Sequence, residues 1–119
     1  MNEHDKIYID GAWVDSAGDG SIDVISASTE DVIGRVPNGT TADVDAAVAA
    51  AKQAFESWSQ TPKDERANYL RRINYRLAAR KDDIAQVIAG EVGMPNTRAG
   101  QKQAALPVGN YENYARLLD

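Results

Sequence analysis

Few residues of this chain have the type and spacing that support chemistry, and each has a plainer use. His4 is the only histidine and sits among polar residues at the start of the chain. With no second histidine and no cysteine, a zinc shell would have to be built from carboxylates alone, against that metal's preference for nitrogen and sulfur. Serines 16, 21, 26, 28, 57 and 59 have no nearby base to draw off a hydroxyl proton, so none reads as an activated nucleophile. The acidic pairs Asp82-Asp83 and Glu30-Asp31 read as a helix surface and a turn rather than as an acid/base couple. Gly18-Asp19-Gly20 and Asn38-Gly39-Thr40-Thr41 match neither a P-loop nor a G-x-G-x-x-G strand-to-helix turn, and their simplest role is to permit positive φ in loops. A helix start near Thr40 offers free N–H groups to a phosphate, but Asp43 and Asp45 would oppose it.

The elements that would position these residues are legible from pattern. Residues 1–5 are polar and read as a mobile tail. Ile7 and Ile9 alternate with polar neighbours, Asp10-Gly11 follows, and Trp13-Val14 comes next. That order predicts a type I′ hairpin, whose turn needs positive φ at both central residues. Two more extended runs, Ile22 to Ile25 and Val32 to Val36, flank the polar turn Ser26 to Asp31. Thr40 with Asp43 three residues on is an N-cap signal, a relative of the Ser/Thr-x-x-Glu box. Val44, Val48, Ala51, Phe55 and Trp58 then recur at helical spacing and predict one buried face. Thr61-Pro62-Lys63-Asp64 starts a long helix with proline at its first position, carrying Ala67, Leu70, Ile73, Leu77, Ile84 and Ile88 inward and Arg72, Arg76 and Arg80 outward. Gly93 and Pro95 end it. Residues 96–119 read as helical, with a kink or two shorter helices meeting near Leu106 because Pro107 lies in the interior.

Composition narrows the classes of function. At 119 residues the chain fits one modest core. No apolar run approaches the roughly 18 residues that a membrane span needs, and the start is too polar for a signal peptide, so a cytoplasmic protein without a membrane partner is expected. A net charge of −5 argues against a nucleic-acid partner, because a phosphate backbone demands a basic surface. The charge is uneven: through residue 45 ten acidic side chains face only Lys6 and Arg35, and from residue 46 eleven basic ones face eight acidic. The plain reading is a solvated acidic surface beside a basic helix face, and the sharper one is electrostatic docking to another segment or subunit. The aromatics Tyr8, Trp13, Phe55, Trp58, Tyr69, Tyr75, Tyr111 and Tyr114 are scattered over different elements, as core and interface plugs are, and not as a platform for stacking bases.

Several ordered landmarks carry a resemblance. Ile7-Tyr8-Ile9-Asp10-Gly11-Ala12-Trp13-Val14 resembles the F-I-N-G-x-W-V strand pair with which aldehyde dehydrogenases open. Thr29-Glu30-Asp31-Val32-Ile33-Gly34-Arg35-Val36-Pro37 resembles that family's T-G-E-V-I-x-x-V-P segment, and Asp43 to Val48 through Ala54-Phe55 its D-V-D-x-A-V-x-A-A-x-x-A-F helix. Trp58, Pro62, Glu65-Arg66, Leu70-Arg71-Arg72 and Glu91-Val92-Gly93-Met94-Pro95 follow in the family's order. Departures are local: Ser26-Ala27-Ser28-Thr29-Glu30 stands where the family commonly has Asn-Pro-x-Thr-Gly, Met94 replaces a frequent lysine, and Pro107 interrupts the following helix.

The resemblance implies an α+β fragment in which a β-hairpin and short strands precede two or three helices. In the family this forms the opening part of an α/β Rossmann-like cofactor-binding domain, here residues 6–119. It implies a parent enzyme that oxidises an aldehyde to a carboxylic acid with NAD or NADP, through a cysteine thiolate, a glutamate base and oxyanion donors. The family's G-Q-x-C, E-L-G-G and G-S-T-x-x-G segments do not occur in this sequence. No catalytic or cofactor residue is therefore carried over, and the chain alone is expected to be inert and to hold no cofactor. Its expected partners are the remainder of the parent enzyme or another copy of itself, with an aldehyde as the parent's substrate. The resemblance also implies a monovalent cation held by backbone oxygens of Val24 and Ile25 and by the Glu91 carboxylate, oxygen donors that suit a hard cation. A rival reading is a non-enzymatic interaction module that keeps the enzyme's N-terminal scaffold.

Overall fold

A computed structural model describes residues 2–118 of the chain, which divide into two compact units, Met1–Gln60 and Thr61–Asp119. Five strands fall in the first unit: β1 (Asn2–Glu3), β2 (Ile7–Ile9), β3 (Ala12–Val14), β4 (Ser21–Ile25) and β5 (Val32–Pro37). The expected hairpin is β2–β3, with Tyr8 opposite Trp13 and positive φ at both Asp10 (52°) and Gly11 (78°), as a type I′ turn requires. The other three strands form one sheet in the order β1-β5-β4. β4 and β5 run antiparallel with a bulge at Val24/Ile25, and β1 adds to β5 in parallel. The expected tail thus carries a ladder strand, and the His4 N–H donates to the Arg35 carbonyl at 3.0 Å.

Between β4 and β5 the turn is closed by its own residues, the Ser26 N–H donating to the Asp31 carbonyl at 2.9 Å and the Glu30 N–H to the Ser26 carbonyl at 2.9 Å. Glu30 adopts φ of 62°, the left-handed conformation that a glycine would take at no steric cost. The Ser26 hydroxyl accepts from the Ser28 and Thr29 N–H groups, both at 3.3 Å, and so closes the turn without asparagine or proline.

Helix α1 (Thr41–Trp58) starts at a complete capping box on Thr40 and Asp43. The structure corrects the expectation of a buried face along it. Val44, Val48, Phe55 and Trp58 are 59, 61, 64 and 44% exposed, because nothing described in the chain covers them. The periodicity marks the helix correctly, but it cannot say what the stripe packs against.

The second unit is helical: α2 (Lys63–Ala79), α3 (Lys81–Val92), the single turn α4 (Asn96–Arg98) and α5 (Ala105–Leu117). Pro62 occupies the cap, with ψ of 149°, rather than the first helical position. The single long helix expected up to Gly93 is divided at Arg80, whose φ of −110° and ψ of 14° leave the helical region. Charge placement agrees with a boundary there: Arg76 ends α2 and Asp82 and Asp83 begin α3, each sign matching the adjacent dipole. Gly93 caps α3 at φ of 70°, as expected. The break expected near Leu106 falls at Ala104, after a π turn (Ala99–Gln103) closed by the Ala104 N–H to the Ala99 carbonyl at 2.8 Å. Pro107 then sits in the first turn of α5, where no N–H is needed.

The core of this unit is made of alanine. Ala85, Ala99 and Ala104 form a buried cluster with Ile84, Ile88, Ala89 and Met94 around it. α2 packs mainly on α5, each contributing one buried alanine, Ala67 and Ala115, and the Asn74 side-chain amide donates to the Val108 carbonyl at 2.7 Å. Tyr8, Trp13, Phe55, Trp58, Tyr69, Tyr75 and Tyr114 are all more than two-fifths exposed, so the aromatics are not core plugs within this chain. Ile73, expected inward, is 40% exposed as well.

Candidate functional site

A dense polar constellation is built around Asp43 in the first unit. Thr40 at the end of the β5–α1 loop, Ser16 and Ala17 in the β3–β4 loop, and the first turn of α1 converge on its carboxylate. Asp43 Oδ2 accepts from the Ser16 hydroxyl at 2.7 Å, from the Thr40 N–H at 2.7 Å and from the Thr40 hydroxyl at 2.9 Å. Oδ1 accepts from the Ala17 N–H at 2.8 Å, and the Asp43 N–H returns to the Thr40 hydroxyl at 3.3 Å. The Thr40 N–H above all, then the Ala17 N–H and the Ser16 hydroxyl, hold this carboxyl far below the usual carboxylate range, against a smaller opposing effect of burial.

This arrangement is a clasp and not a catalytic couple. A carboxylate stabilised so strongly as an anion is a poor base, so its contact with the Ser16 hydroxyl does not make a nucleophile. The same contacts take up the Thr40 and Asp43 N–H groups at the start of α1, and the carboxylate's negative charge opposes a phosphate there. Thr40 and Asp43 are visible in the sequence as a cap. Ser16 is not, because a contact across 27 residues depends on where the β3–β4 loop turns back. Gly18 lies beside the clasp: a Cβ at that position would come within 2.7 Å of the Thr40 methyl, so a side chain there would have to push Thr40 aside.

The other residues singled out in the sequence stay apart. His4 is exposed, and Glu30, Asp31, Asp82 and Asp83 are solvated. Ser26 is buried but serves its turn. Among the described residues no group of three or more His, Cys, Asp or Glu side chains could hold a metal ion. Val24 and Ile25 sit at the bulge of β4 in the first unit, and Glu91 is exposed near the end of α3 in the second, so the expected cation ligands are divided between the two units. No helix among the described residues is long and apolar enough to cross a membrane.

Comparison with known proteins places the chain in a family. The model of the aldehyde dehydrogenase family matches residues 13–119. A 3-succinoylsemialdehyde-pyridine dehydrogenase from a Pseudomonas species is 36% identical over 119 residues, which is 99% of this chain and 25% of that protein. An aldehyde dehydrogenase of Bartonella henselae superposes with a TM-score of 0.96 at 32% identity, covering 99% of this chain and 25% of that one. Aldehyde dehydrogenase C of Pseudomonas syringae, solved with NAD+ and octanal, gives a TM-score of 0.93 at 39% identity over 95% of this chain and 23% of its own. The chain therefore spans about a quarter of the length of the relatives it matches, and its α+β architecture is that of their N-terminal part. On the family match and these relatives together, the chain belongs to the aldehyde dehydrogenase family.

Proposed function

We propose that this chain is the opening quarter of a cytoplasmic, NAD(P)-dependent aldehyde dehydrogenase that oxidises an aldehyde to a carboxylic acid, and that the 119 residues alone are inert. The observation that carries this reading is the match of the family model to residues 13–119 by a sequence that contains no cysteine. NAD+ in the solved Pseudomonas syringae relative supports the choice of cofactor, whose chemistry in the whole enzyme is to accept a hydride. Within this assignment the chain's own residues are structural: Thr40, Asp43, Ser16 and Ala17 fix the start of α1, and the alanine cluster sets the spacing of the later helices. The partners are the rest of the enzyme or another copy of the chain.

The monovalent-cation role of Val24, Ile25 and Glu91 belongs to the same proposal. Two backbone oxygens and a carboxylate are a donor set that fits a hard cation and would hold it by charge and coordination alone. Glu91→Gln in the enzyme encoded by the whole reading frame, with melting followed against potassium concentration, tests that part.

The main test is direct. The purified 119-residue chain, incubated with octanal and NAD+ or NADP+, should yield no reduced cofactor by absorbance, and calorimetry should show no stoichiometric NAD+ binding. The reading frame beyond Asp119 should continue into a glycine-rich cofactor loop and a cysteine in a G-Q-x-C context. A stop codon there, or micromolar NAD+ binding by the chain alone, would overturn the proposal.

A further inference from the structure

Asn38-Gly39, between β5 and the Thr40 cap, is a feature of the sequence that neither the fold nor the clasp puts to use. Among the described glycines only Gly11 and Gly93 have positive φ, so the backbone does not require a glycine at position 39. A Cβ there would meet nothing within 4 Å. The pair has a chemical property instead. The backbone nitrogen that follows an asparagine can attack its side-chain amide, and glycine, with no Cβ, offers that approach the least steric resistance.

The structure sets Asn38 apart from every other asparagine. Asn2 lies in β1, Asn68 and Asn74 in α2, Asn96 in α4, and Asn110 and Asn113 in α5, where regular backbone dihedrals restrain the peptide that follows. None of these six precedes a glycine. Asn38 and Gly39 are exposed and lie in neither helix nor strand. The Asn38 N–H donates to the Gly20 carbonyl at 2.8 Å and the Thr40 N–H to the Asp43 carboxylate at 2.7 Å. The Gly39 N–H between them donates to no group among the described residues. No hydrogen bond at this nitrogen therefore has to break before it turns toward Asn38 Cγ.

We propose that Asn38 is a self-modifying site, at which the folded chain deamidates to aspartyl and isoaspartyl forms. The Gly39 nitrogen bonds to Asn38 Cγ, the Cγ–Nδ2 bond breaks, and the proton from the Gly39 N–H leaves with Nδ2 as ammonia. Water then opens the cyclic imide at either carbonyl. Opening at Cγ leaves an aspartate at position 38. Opening at the main-chain carbonyl leaves an isoaspartate, which routes the backbone through the former side chain and lengthens it by a methylene. No electrons are transferred, and water is the only co-reactant. Either product places a new negative charge two residues before the Thr40 cap, in a chain that already carries −5.

The experiment ages the purified 119-residue chain at mildly alkaline pH and follows its tryptic peptides by mass. Peptide 36–52 should gain the mass of water less ammonia at Asn38, about tenfold faster than any other asparagine converts, because only this one has the unhindered glycine nitrogen beside it. Ion exchange should resolve the product as a more acidic species. Gly39→Ala should slow the gain about tenfold, and it should keep the fold, since the added methyl has room and meets no positive φ. Hydrogen exchange on the aged sample should still show α1 protected. The chain unfolded in urea supplies the rate of an unrestrained Asn-Gly step. A native chain that stays unconverted while the unfolded one reacts overturns the proposal. So does a rate that Gly39→Ala leaves unchanged, or conversion confined to molecules whose α1 has lost its protection.

Discussion

The two units of this chain are held together by different physics. In the first, the buried side chains are polar: Asp43 and Ser26 are covered, and among the described residues no apolar side chain is fully buried. Its order comes from strand ladders, a capping box and a carboxylate that collects a distant loop. In the second, the buried side chains among the described residues are all alanine, packed where helices approach one another, and the Asn74 to Val108 bond is a long-range polar tie. Small side chains bring backbones close but remove little apolar area from water, so neither unit has the large buried side chains that usually dominate stability. A polar scaffold should fail when a hydrogen bond is removed, and an alanine scaffold when volume is added.

The largest effect should come from Asp43→Ala. It removes the acceptor of four hydrogen bonds at once and leaves the Thr40 and Ala17 N–H groups without their partner. Hydrogen exchange at the start of α1 and in the β3–β4 loop should accelerate well beyond about tenfold, a larger change than loss of the Asp23–Arg35 pair or of the Glu30 side chain produces in the same unit. Asp43 also predicts a pH dependence. Its folded pKa lies far below that of an unfolded aspartate, about 3.9, so the stabilisation is fully present at neutral pH and is lost progressively as pH falls below about 4. Asp43→Asn should flatten that part of the stability profile. An unchanged profile would mean that the clasp does not hold the first unit.

The opposite probe is Ala99→Leu. Ala99 has no exposed surface and lies in the cluster with Ala85 and Ala104 at the π turn. Three added heavy atoms must displace a helix or force strained rotamers, at a cost of about 1–3 kcal/mol in chemical denaturation. If leucine instead raised the midpoint, the alanine cluster would have to be underfilled, and the contrast between the units would weaken.

Local elements are far more legible in the sequence than their surroundings. The Asp10-Gly11 turn, the Thr40/Asp43 cap and the Gly93 stop each depend on neighbours within a few residues, and the structure places all three as expected. The burial of Val48 and Phe55 depends on what packs against α1, which no periodicity encodes. The break at Arg80 escapes the apolar pattern because a one-residue departure leaves the spacing from Leu77 to Ile84 intact, although the switch from basic to acidic residues marks it. The Ser16 to Asp43 contact is hidden for the same reason as the fate of the α1 stripe: it is tertiary.

A third, smaller effect has the opposite sign. Glu30 has φ of 62° in the turn where the aldehyde dehydrogenase pattern commonly has glycine. Glu30→Gly relieves the left-handed strain and loses part of the gain to the greater freedom of glycine in the unfolded chain. The net expectation is a stabilisation of about 0.5–1 kcal/mol by urea denaturation. Destabilisation would show that the Glu30 side chain contributes more than its backbone costs.

The smallest effect tests whether every polar contact in the first unit matters or only the clasp. Asp23 and Arg35 face each other across β4 and β5, with Arg35 Nε 2.6 Å from Asp23 Oδ1, and both side chains are nearly half exposed. Water and salt screen such a pair, and two flexible side chains lose entropy to hold it. A double-mutant cycle with Asp23→Asn and Arg35→Gln should therefore give a coupling of only about 0.2–1 kcal/mol that shrinks as salt is added. The clasp differs because its donors include two backbone N–H groups already fixed by the loop and the cap, which lose no side-chain entropy in meeting the carboxylate. A coupling between Asp23 and Arg35 as large as the whole effect of Asp43→Ala would mean that polar contacts stabilise the first unit irrespective of burial. A small one locates its stability at the junction of the β3–β4 loop with the start of α1.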